Sequence, residues 1–246
     1  MSRLHQSLSS NLDGIETRIA AACVRAGRAR ADVQLVAVTK YAPWPVVRAA
    51  VELGLTDLGE NRPQQLAARA DQLAEEMPSR AVQWHLIGQL QRNKVRPMLQ
   101  VAHLIHSVDS SKLCDRISRL AGELGRRARI LLEVNVSGEG AKSGFVPDTL
   151  RDEWPTLVRL PHVEYAGLMT MAPAHDDPSA ARPVFQALRH LRDELSSHAA
   201  GGSLHELSMG MSGDFEVAIE EGATLVRIGS SLFAGCEYDE AGDGPP

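Results

Sequence analysis

Lys40 is the residue of this 246-residue chain best suited to covalent chemistry. It follows directly on the apolar run VQLVAVT at residues 33–39, which is typical of a buried parallel strand. At the end of such a strand, hydrophobic walls favour the free amine of a lysine, and a free amine can attack an aldehyde. A lysine in this position can also extend its ammonium group into solvent. Position alone leaves both interpretations open.

Two segments rich in glycine and serine have the composition of a phosphate site. Residues 208–214 (SMGMSGD) follow one apolar run, and we expect Ser212 to begin a helix there. Residues 227–231 (RIGSS) end the next apolar run, again at an expected helix start. Glycines let backbone N–H groups approach an anion, and helix N-termini attract it. Ser212 alone is equally an ordinary helix cap, but two such segments together favour phosphate.

Three further polar residues lie at or inside apolar runs. Arg227 needs a partner if it is buried, either a carboxylate elsewhere in the fold or the ring nitrogen of a bound cofactor. Asn61 is either the N-cap of the helix that follows it or a contact to a ligand. We expect His85, between Trp84 and Leu86, to be a packed core histidine rather than a general base.

No metal site and no nucleotide-binding loop is expected. His103 and His106 lie three residues apart on a predicted strand, so their side chains point to opposite sides. The three cysteines are widely spaced and odd in number, unlike a disulfide framework or a set of metal ligands. The segment SGEGAKSG at residues 137–144 lacks the Gly-Lys-Ser order of a phosphate loop, and GMSGD is not a nucleophile elbow.

Eight short apolar runs predict buried parallel strands, with helical patterns between them; they lie at residues 33–39, 56–60, 82–88, 103–108, 129–136, 163–169, 204–209 and 224–229. Leu4, Leu8, Leu12, Ile15 and Ile19 mark an extra helix before the first strand. This alternation predicts an α/β fold, a parallel (β/α)8 TIM barrel with an extra N-terminal helix. In that fold the polar residues at the strand C-termini form the functional site.

Composition excludes several other classes of protein. The net charge is −5, and the 26 basic and 31 acidic residues are mixed, so no basic stripe indicates a nucleic-acid partner. No apolar run reaches the roughly 18–20 residues that a membrane span requires. We therefore expect a soluble, cytoplasmic protein that forms one domain over residues 1–246, with an N-terminal helix in 1–30 and a flexible tail at 237–246.

Seven ordered motifs between residues 33 and 235 resemble the pyridoxal phosphate homeostasis protein family, whose barrel is related to the N-terminal domain of alanine racemase; they are VAVTK, LGENR, WHLIGQLQRNK, EVNVSGEGAKSG, GLMTM, LSMGMSGD and VRIGSSLFAG. The resemblance implies that Lys40 forms a Schiff base with pyridoxal 5′-phosphate (PLP). It further implies that Arg227 faces the pyridine nitrogen and that the phosphate is held by Ser212, Gly229 and Ser230.

The resemblance also implies secondary roles for four other residues. Asn61, Ser208 and Met209 are expected in the same pocket, and Lys142 is a possible second lysine that affects cofactor transfer. No residue is assigned a catalytic role.

Two functions compete at this point, a PLP-dependent racemase and a non-catalytic protein that buffers PLP and delivers it to apoenzymes. A racemase needs an acid/base opposite the lysine, which in such enzymes depends on a second, β-rich domain, and the chain ends about ten residues after its last strand loop. None of the three tyrosines has an evident role as that base. We therefore favour the non-catalytic, monomeric protein. A barrel aldolase with a Schiff-base lysine is a third possibility.

Overall fold

Eight parallel strands close into a barrel in chain order. The computed structural model describes residues 2–138, 143–173, 175–197 and 204–236. Each predicted strand is confirmed, with bounds that differ by no more than a few residues from the predicted ones. The strands are β1 (Gln34–Val38), β2 (Asp57–Glu60), β3 (Gln83–Leu86), β4 (Leu104–Val108), β5 (Ala128–Glu133), β6 (Val163–Met169), β7 (Glu206–Ser208) and β8 (Leu225–Ile228).

Helices follow the first seven strands and cover the outside of the barrel. Apolar residues at helical spacing form the face that each of the longer helices buries, as Leu66 and Leu73 do on the third. The helices are α1 (Arg3–Arg25), α2 (Trp44–Glu52), α3 (Pro63–Glu76), α4 (Val95–Val101), α5 (Ser111–Glu123), α6 (Pro147–Leu157), α7 (Arg182–Ser197) and α8 (Phe215–Glu220). Over the described ranges, none of them has both the length and the apolar character to cross a membrane.

The extra N-terminal helix α1 takes the position that a helix after β8 would occupy. Between β8 and residue 236 the described chain forms only turns, and α1 packs against both α8 and α2. Its side chains tie the two ends of the fold together: Asn11 Nδ2 donates to the carbonyls of Leu232 and Ala234, at 2.9 and 2.8 Å. Helix α1 therefore completes the outer layer rather than standing apart from the barrel.

The interior of the barrel is unusually polar for a protein core. Its apolar part is a small cluster of six buried residues, namely Val36, Leu104, Leu131, Ala166, Met169 and Leu225. Buried polar side chains, among them His85, His106, Ser208 and Arg227, occur on other positions of the same barrel strands. Burying such groups is costly unless each has a hydrogen-bond partner, so they must be paired within the barrel.

Two glycines provide a matched test of the barrel geometry. A Cβ at Gly167, next to the irregularity in the β5–β6 pairing, would lie 1.9 Å from the carbonyl oxygen of Glu206 on β7. We expect Gly167→Ala to lower the free energy of unfolding by about 1–3 kcal/mol, because β6 and β7 would have to separate. The measurement is urea denaturation followed by circular dichroism.

Gly14→Ala is the control, since Gly14 lies within α1 and a Cβ there would meet no atom of a neighbouring element within 4 Å. Alanine is the better helix former, so this change should raise the free energy of unfolding by about 0.5–1 kcal/mol. Equal stability of the two variants would contradict the close β6–β7 approach.

Candidate functional site

A cavity of about 860 Å³ opens at the end of the barrel where the strands terminate. Six of the residues singled out in the sequence line it: Lys40, Asn61, Ser212, Arg227, Gly229 and Ser230. Three large hydrophobic side chains, Tyr41, Met171 and Met211, also line the cavity although they are exposed to solvent. The cavity therefore combines two cationic groups with an open, partly apolar rim.

Lys40 lies two residues beyond the end of β1 and is half-buried. Its Nζ atom is 4.9 Å from the centre of the Tyr41 ring. Gln65 on α3 donates a 3.2 Å hydrogen bond from Nε2 to the Lys40 carbonyl oxygen. The lysine backbone is thus held from the neighbouring helix while its amine remains accessible from the cavity.

A buried ion pair, which sequence reasoning missed, holds the same segment from behind. Arg69 on α3 donates to the carbonyl oxygens of Thr39 and Ala42, at 2.8 and 2.5 Å, and pairs with Glu60 at the end of β2. Burial raises the pKa of Glu60, although hydrogen bonds from Thr39 and Arg69 act in the opposite direction. These contacts fix the backbone on both sides of Lys40.

The sequence does contain a signal for Arg69. This residue follows Leu66 by three residues and precedes Leu73 by four, so it lies on the apolar face of α3. A charged residue on such a face must find a partner when the face is buried.

The two expected helix starts near the phosphate segments were wrong. Helix α8 begins at Phe215, and Asp214 rather than Ser212 occupies its N-cap position. Asp214 Oδ1 accepts a 2.6 Å hydrogen bond from the Met211 N–H, so a turn closes before the helix can begin. After β8, residues 229–233 form a turn in which Phe233 N–H donates to the Gly229 carbonyl, not a helix.

These turns bring polar groups from both segments together. Ser212 Oγ accepts from the backbone N–H groups of Gly229 and Ser231, at 3.4 and 3.3 Å. The buried Ser231 Oγ has no hydrogen-bond partner within the described part of the chain. Two N–H donors on long hydrogen bonds fit an incoming anion, because each can form a shorter bond to it.

Arg227 is buried on β8, with 4% of its surface exposed, and it still lines the cavity. Its guanidinium donates to the Ser208 hydroxyl at 2.6 Å and to the Thr170 carbonyl at 3.0 Å, and neither group is a carboxylate. These bonds use two of the five guanidinium N–H donors. Burial lowers the Arg227 pKa to about 10, while Asp214 and Glu133 act to raise it, so the side chain is a cation at neutral pH.

The other residues proposed from the sequence have different positions. Asn61 lines the cavity and is not the N-cap of α3, which is Arg62. Ser208 and Met209 are fully buried and do not line the cavity; Ser208 contacts it only through Arg227. Lys142 lies outside the described residues.

His85 is a buried core histidine, as expected from its apolar neighbours. Its two ring nitrogens lie 2.9 Å from Asp57 Oδ1 and 2.9 Å from His106 Nε2. His106 is fully buried in the barrel interior, whereas His103, just before β4, is exposed and contacts Arg129, with its ring centre 5.9 Å from that of His85. Because both rings lie near that of His85, the expectation that the two histidines point to opposite sides of the strand is not confirmed.

The cavity supplies three chemical functions within one space. A primary amine comes from Lys40, a set of anion-binding N–H and hydroxyl groups from the two turns, and a cationic donor from Arg227. An amine can form a covalent bond with an aldehyde, and the turns suit a phosphate group. The site therefore fits a small phosphorylated aldehyde with an acceptor atom opposite the guanidinium.

A family model and a curated relative both match nearly the whole of this chain. The family model for the alanine racemase N-terminal domain matches residues 11–236. A pyridoxal phosphate homeostasis protein of Aquifex aeolicus is 42% identical over 227 residues, which cover 92% of this chain and 97% of that protein.

Two solved structures share the fold. A protein from Bifidobacterium adolescentis, described as an unknown protein, has a TM-score of 0.88 and 38% identity, covering 95% of this chain and 97% of that one. PipY of Synechococcus elongatus, solved with PLP bound, has a TM-score of 0.77 and 38% identity, covering 89% of this chain and 99% of that one. By the extent of these matches, the chain belongs to the alanine racemase N-terminal domain family and, within it, to the pyridoxal phosphate homeostasis proteins.

Proposed function

We propose that this protein binds PLP covalently through Lys40 and serves as a non-catalytic store and donor of the cofactor. The observation that carries the proposal is that Lys40, Ser212, Arg227 and the turn residues Gly229 and Ser230 share one cavity. Relatives named pyridoxal phosphate homeostasis proteins and a PLP-bound relative of 38% identity support it. The recipients in this proposal are PLP-dependent apoenzymes of the cytoplasm, and the protein acts as a monomer.

Each part of PLP has a counterpart among the cavity residues. The phosphate fits between Ser212 and the N–H groups of Gly229 and Ser231, whose present hydrogen bonds are long. Ser230, exposed at the same turn, offers a further donor. Arg227 offers unused N–H donors to the pyridine nitrogen, and Asn61 lines the cavity beside Lys40.

The chemistry of storage requires only a reversible bond. PLP supplies an aldehyde, which condenses with a free primary amine and releases water. Lys40 provides that amine, and the contacts from Gln65 and Arg69 hold its backbone in place. The exposed side chains of Tyr41, Met171 and Met211 leave the mouth of the cavity open, which suits exchange of the cofactor with another protein.

Arg227 favours storage over catalysis. Its pKa of about 10 keeps it protonated at neutral pH, so a pyridine nitrogen facing it stays unprotonated. An unprotonated ring withdraws electrons less strongly and gives less support to carbanion chemistry. Racemases also have an arginine that faces the pyridine nitrogen, so racemase activity has to be assayed directly.

The role of Lys40 as the covalent anchor can be tested by trapping the bound cofactor. Purified protein incubated with PLP should turn yellow, and borohydride reduction should fix the cofactor mass on Lys40, as shown by peptide mass spectrometry. Lys40→Arg should lose both the colour and the added mass. Lys112→Arg, at an exposed position on α5, is the matched control and should behave as the unchanged protein. A wild-type protein that stays colourless with excess PLP would refute the proposal, and it would favour a barrel aldolase.

The role of Ser212 at the phosphate can be tested by comparing two ligands. Ser212→Ala should weaken PLP binding about tenfold, as expected for loss of a hydrogen bond to a charged group, about 1.4 kcal/mol. Binding of pyridoxal, which has no phosphate, should not change, and isothermal titration calorimetry measures both ligands. The control is Ser10→Ala on the exposed face of α1. An equal loss for both ligands would place Ser212 elsewhere than at the phosphate.

Assays of alanine racemisation and of cofactor transfer separate a store of PLP from a racemase. The PLP-loaded protein, incubated separately with L-alanine and D-alanine, should yield no opposite enantiomer above the rate of free PLP, by chiral chromatography. Apoenzyme mixed with the loaded protein should recover activity as the yellow colour leaves the donor. Turnover that Lys40→Arg abolishes would establish the racemase instead.

A further inference from the structure

Five buried side chains form a continuous chain of hydrogen bonds across the inside of the barrel. Asp57 Oδ1 lies 2.9 Å from His85 Nε2, and His85 Nδ1 lies 2.9 Å from His106 Nε2. His106 Nδ1 lies 2.8 Å from Ser208 Oγ, which accepts the 2.6 Å hydrogen bond from Arg227. The chain begins at the first residue of β2, at the end of the barrel opposite the cavity, and finishes on the cavity-lining arginine.

The chain crosses the barrel rather than following one sheet edge. The first two hydrogen bonds join neighbouring strands, β2 to β3 and β3 to β4. The bond from His106 to Ser208 then joins β4 to β7, which are not paired. Only a closed barrel can bring these two strands within hydrogen-bond distance.

The chemistry of the groups determines the direction in which each hydrogen bond is donated. A guanidinium has donors only, so the Ser208 oxygen accepts from Arg227 and its own hydrogen is available for His106 Nδ1. A neutral His106 then carries its hydrogen on Nε2 and donates to His85 Nδ1. By the same argument His85 donates from Nε2 to the Asp57 carboxylate. Every group is satisfied when both imidazoles are neutral.

The burial of the chain supports this arrangement of charge. Burial holds the pKa of His106 well below its usual value, and the nearby positive charges of Arg227 and Arg129 act in the same direction. Burial would raise the pKa of Asp57, but hydrogen bonds from His85, Gln34 and Thr56 outweigh it, and the pKa is lowered. The chain therefore has a fixed negative end at Asp57 and a positive end at Arg227.

A proton added to this series of side chains would reverse the direction in which its hydrogen bonds are donated. If His85 carries hydrogens on both nitrogens, it donates to His106 Nε2, and a neutral His106 must then donate from Nδ1 to Ser208. Ser208 would accept from both His106 and Arg227, and its own hydrogen would have no acceptor along the chain. Protonation at one end of the barrel thus changes the surroundings of Arg227 at the other end.

We infer that Asp57, His85 and His106 are positioning residues, which act through Ser208 to hold Arg227 in the place and donor arrangement that a pyridine ring requires. The inference rests on the proposed function, because it concerns the residue that faces the cofactor ring. The other charged groups near the chain are Arg129 and His103 beside β4, and Glu133 and Asp214 near Arg227.

The experiment compares His106→Phe and Asp57→Asn with the control His103→Gln. His106→Phe removes the middle of the chain, whereas Asp57→Asn keeps an oxygen that can accept from His85 and removes the negative charge. His103 is close to the chain, with its ring 5.9 Å from that of His85, but it is hydrogen-bonded to Arg129 instead. The readouts are the visible spectrum of bound PLP over a range of acid to mildly alkaline pH, the PLP dissociation constant and the melting temperature without PLP.

We expect His106→Phe to raise the PLP dissociation constant about tenfold, the effect of disturbing one hydrogen bond to a charged group, and to shift the visible band. In the unchanged protein, the affinity for PLP should fall as the pH is lowered and a proton enters the pair formed by His85 and His106. Asp57→Asn should move the midpoint of this fall to lower pH, because the carboxylate that favours the added proton is gone. His103→Gln, which breaks no hydrogen bond of the chain, should leave the spectrum and the affinity for PLP unchanged at neutral pH.

The outcomes separate this inference from the proposed function. Failure of the unchanged protein to bind PLP at Lys40 refutes the proposed function. Normal binding, with Asp57→Asn and His106→Phe matching His103→Gln in spectrum and pH midpoint, refutes the positioning role alone. If the melting temperature shows that His106→Phe does not fold, the pH midpoint of Asp57→Asn decides the question.

Discussion

The pairing of β1 with β8 is the contact on which the candidate site depends. It closes the barrel and places Val36 opposite Arg227 and Ala37 opposite Ile228. Because the strands are parallel, the residues that follow them emerge side by side, so Lys40, Gly229 and Ser230 line one cavity. The approach is close: a Cβ at Gly229 would lie 2.9 Å from the Val38 carbonyl oxygen. Glycine at this position lets the proposed phosphate-binding turn lie directly against the lysine-bearing strand.

Closure of the barrel also creates a problem of buried charge, which the structure solves by pairing. Arg227 is buried inside the barrel, and its donors are used by Ser208, by Thr170 and, in our proposal, by the cofactor ring. Behind Lys40, the buried Glu60 is paired with Arg69. Since leaving a buried charge without its partner costs about 3–5 kcal/mol, these partners are required as well as useful. Each of them also orders a residue of the cavity, so stability and site geometry depend on the same contacts.

The turns near the phosphate site show how local chemistry can mislead. Ser212 has the residue type of a helix cap and precedes an apolar helical pattern, but Asp214 is also a good cap and lies closer to that pattern. Asp214 closes a turn on the Met211 N–H. This turn leaves the Ser212 hydroxyl free to meet the backbone of the neighbouring strand loop, which is a tertiary contact. The anion site stays a prediction, which now rests on these tertiary contacts, because the helix starts that suggested it were wrong.

The sequence by itself determined the fold class, the eight strands, the N-terminal helix and six of the residues that line the cavity. It could do so because these features rest on local signals: short apolar runs, helical periodicity, and polar residues at strand ends. The partners of those residues were decided only by the tertiary structure. Arg69, and the chain of hydrogen bonds from Asp57 to Arg227, join residues that are distant in sequence. No local pattern predicts such pairs, because the packing of the helices, the pairing of the strands and the closure of the barrel, and not sequence spacing, set the distances between these residues.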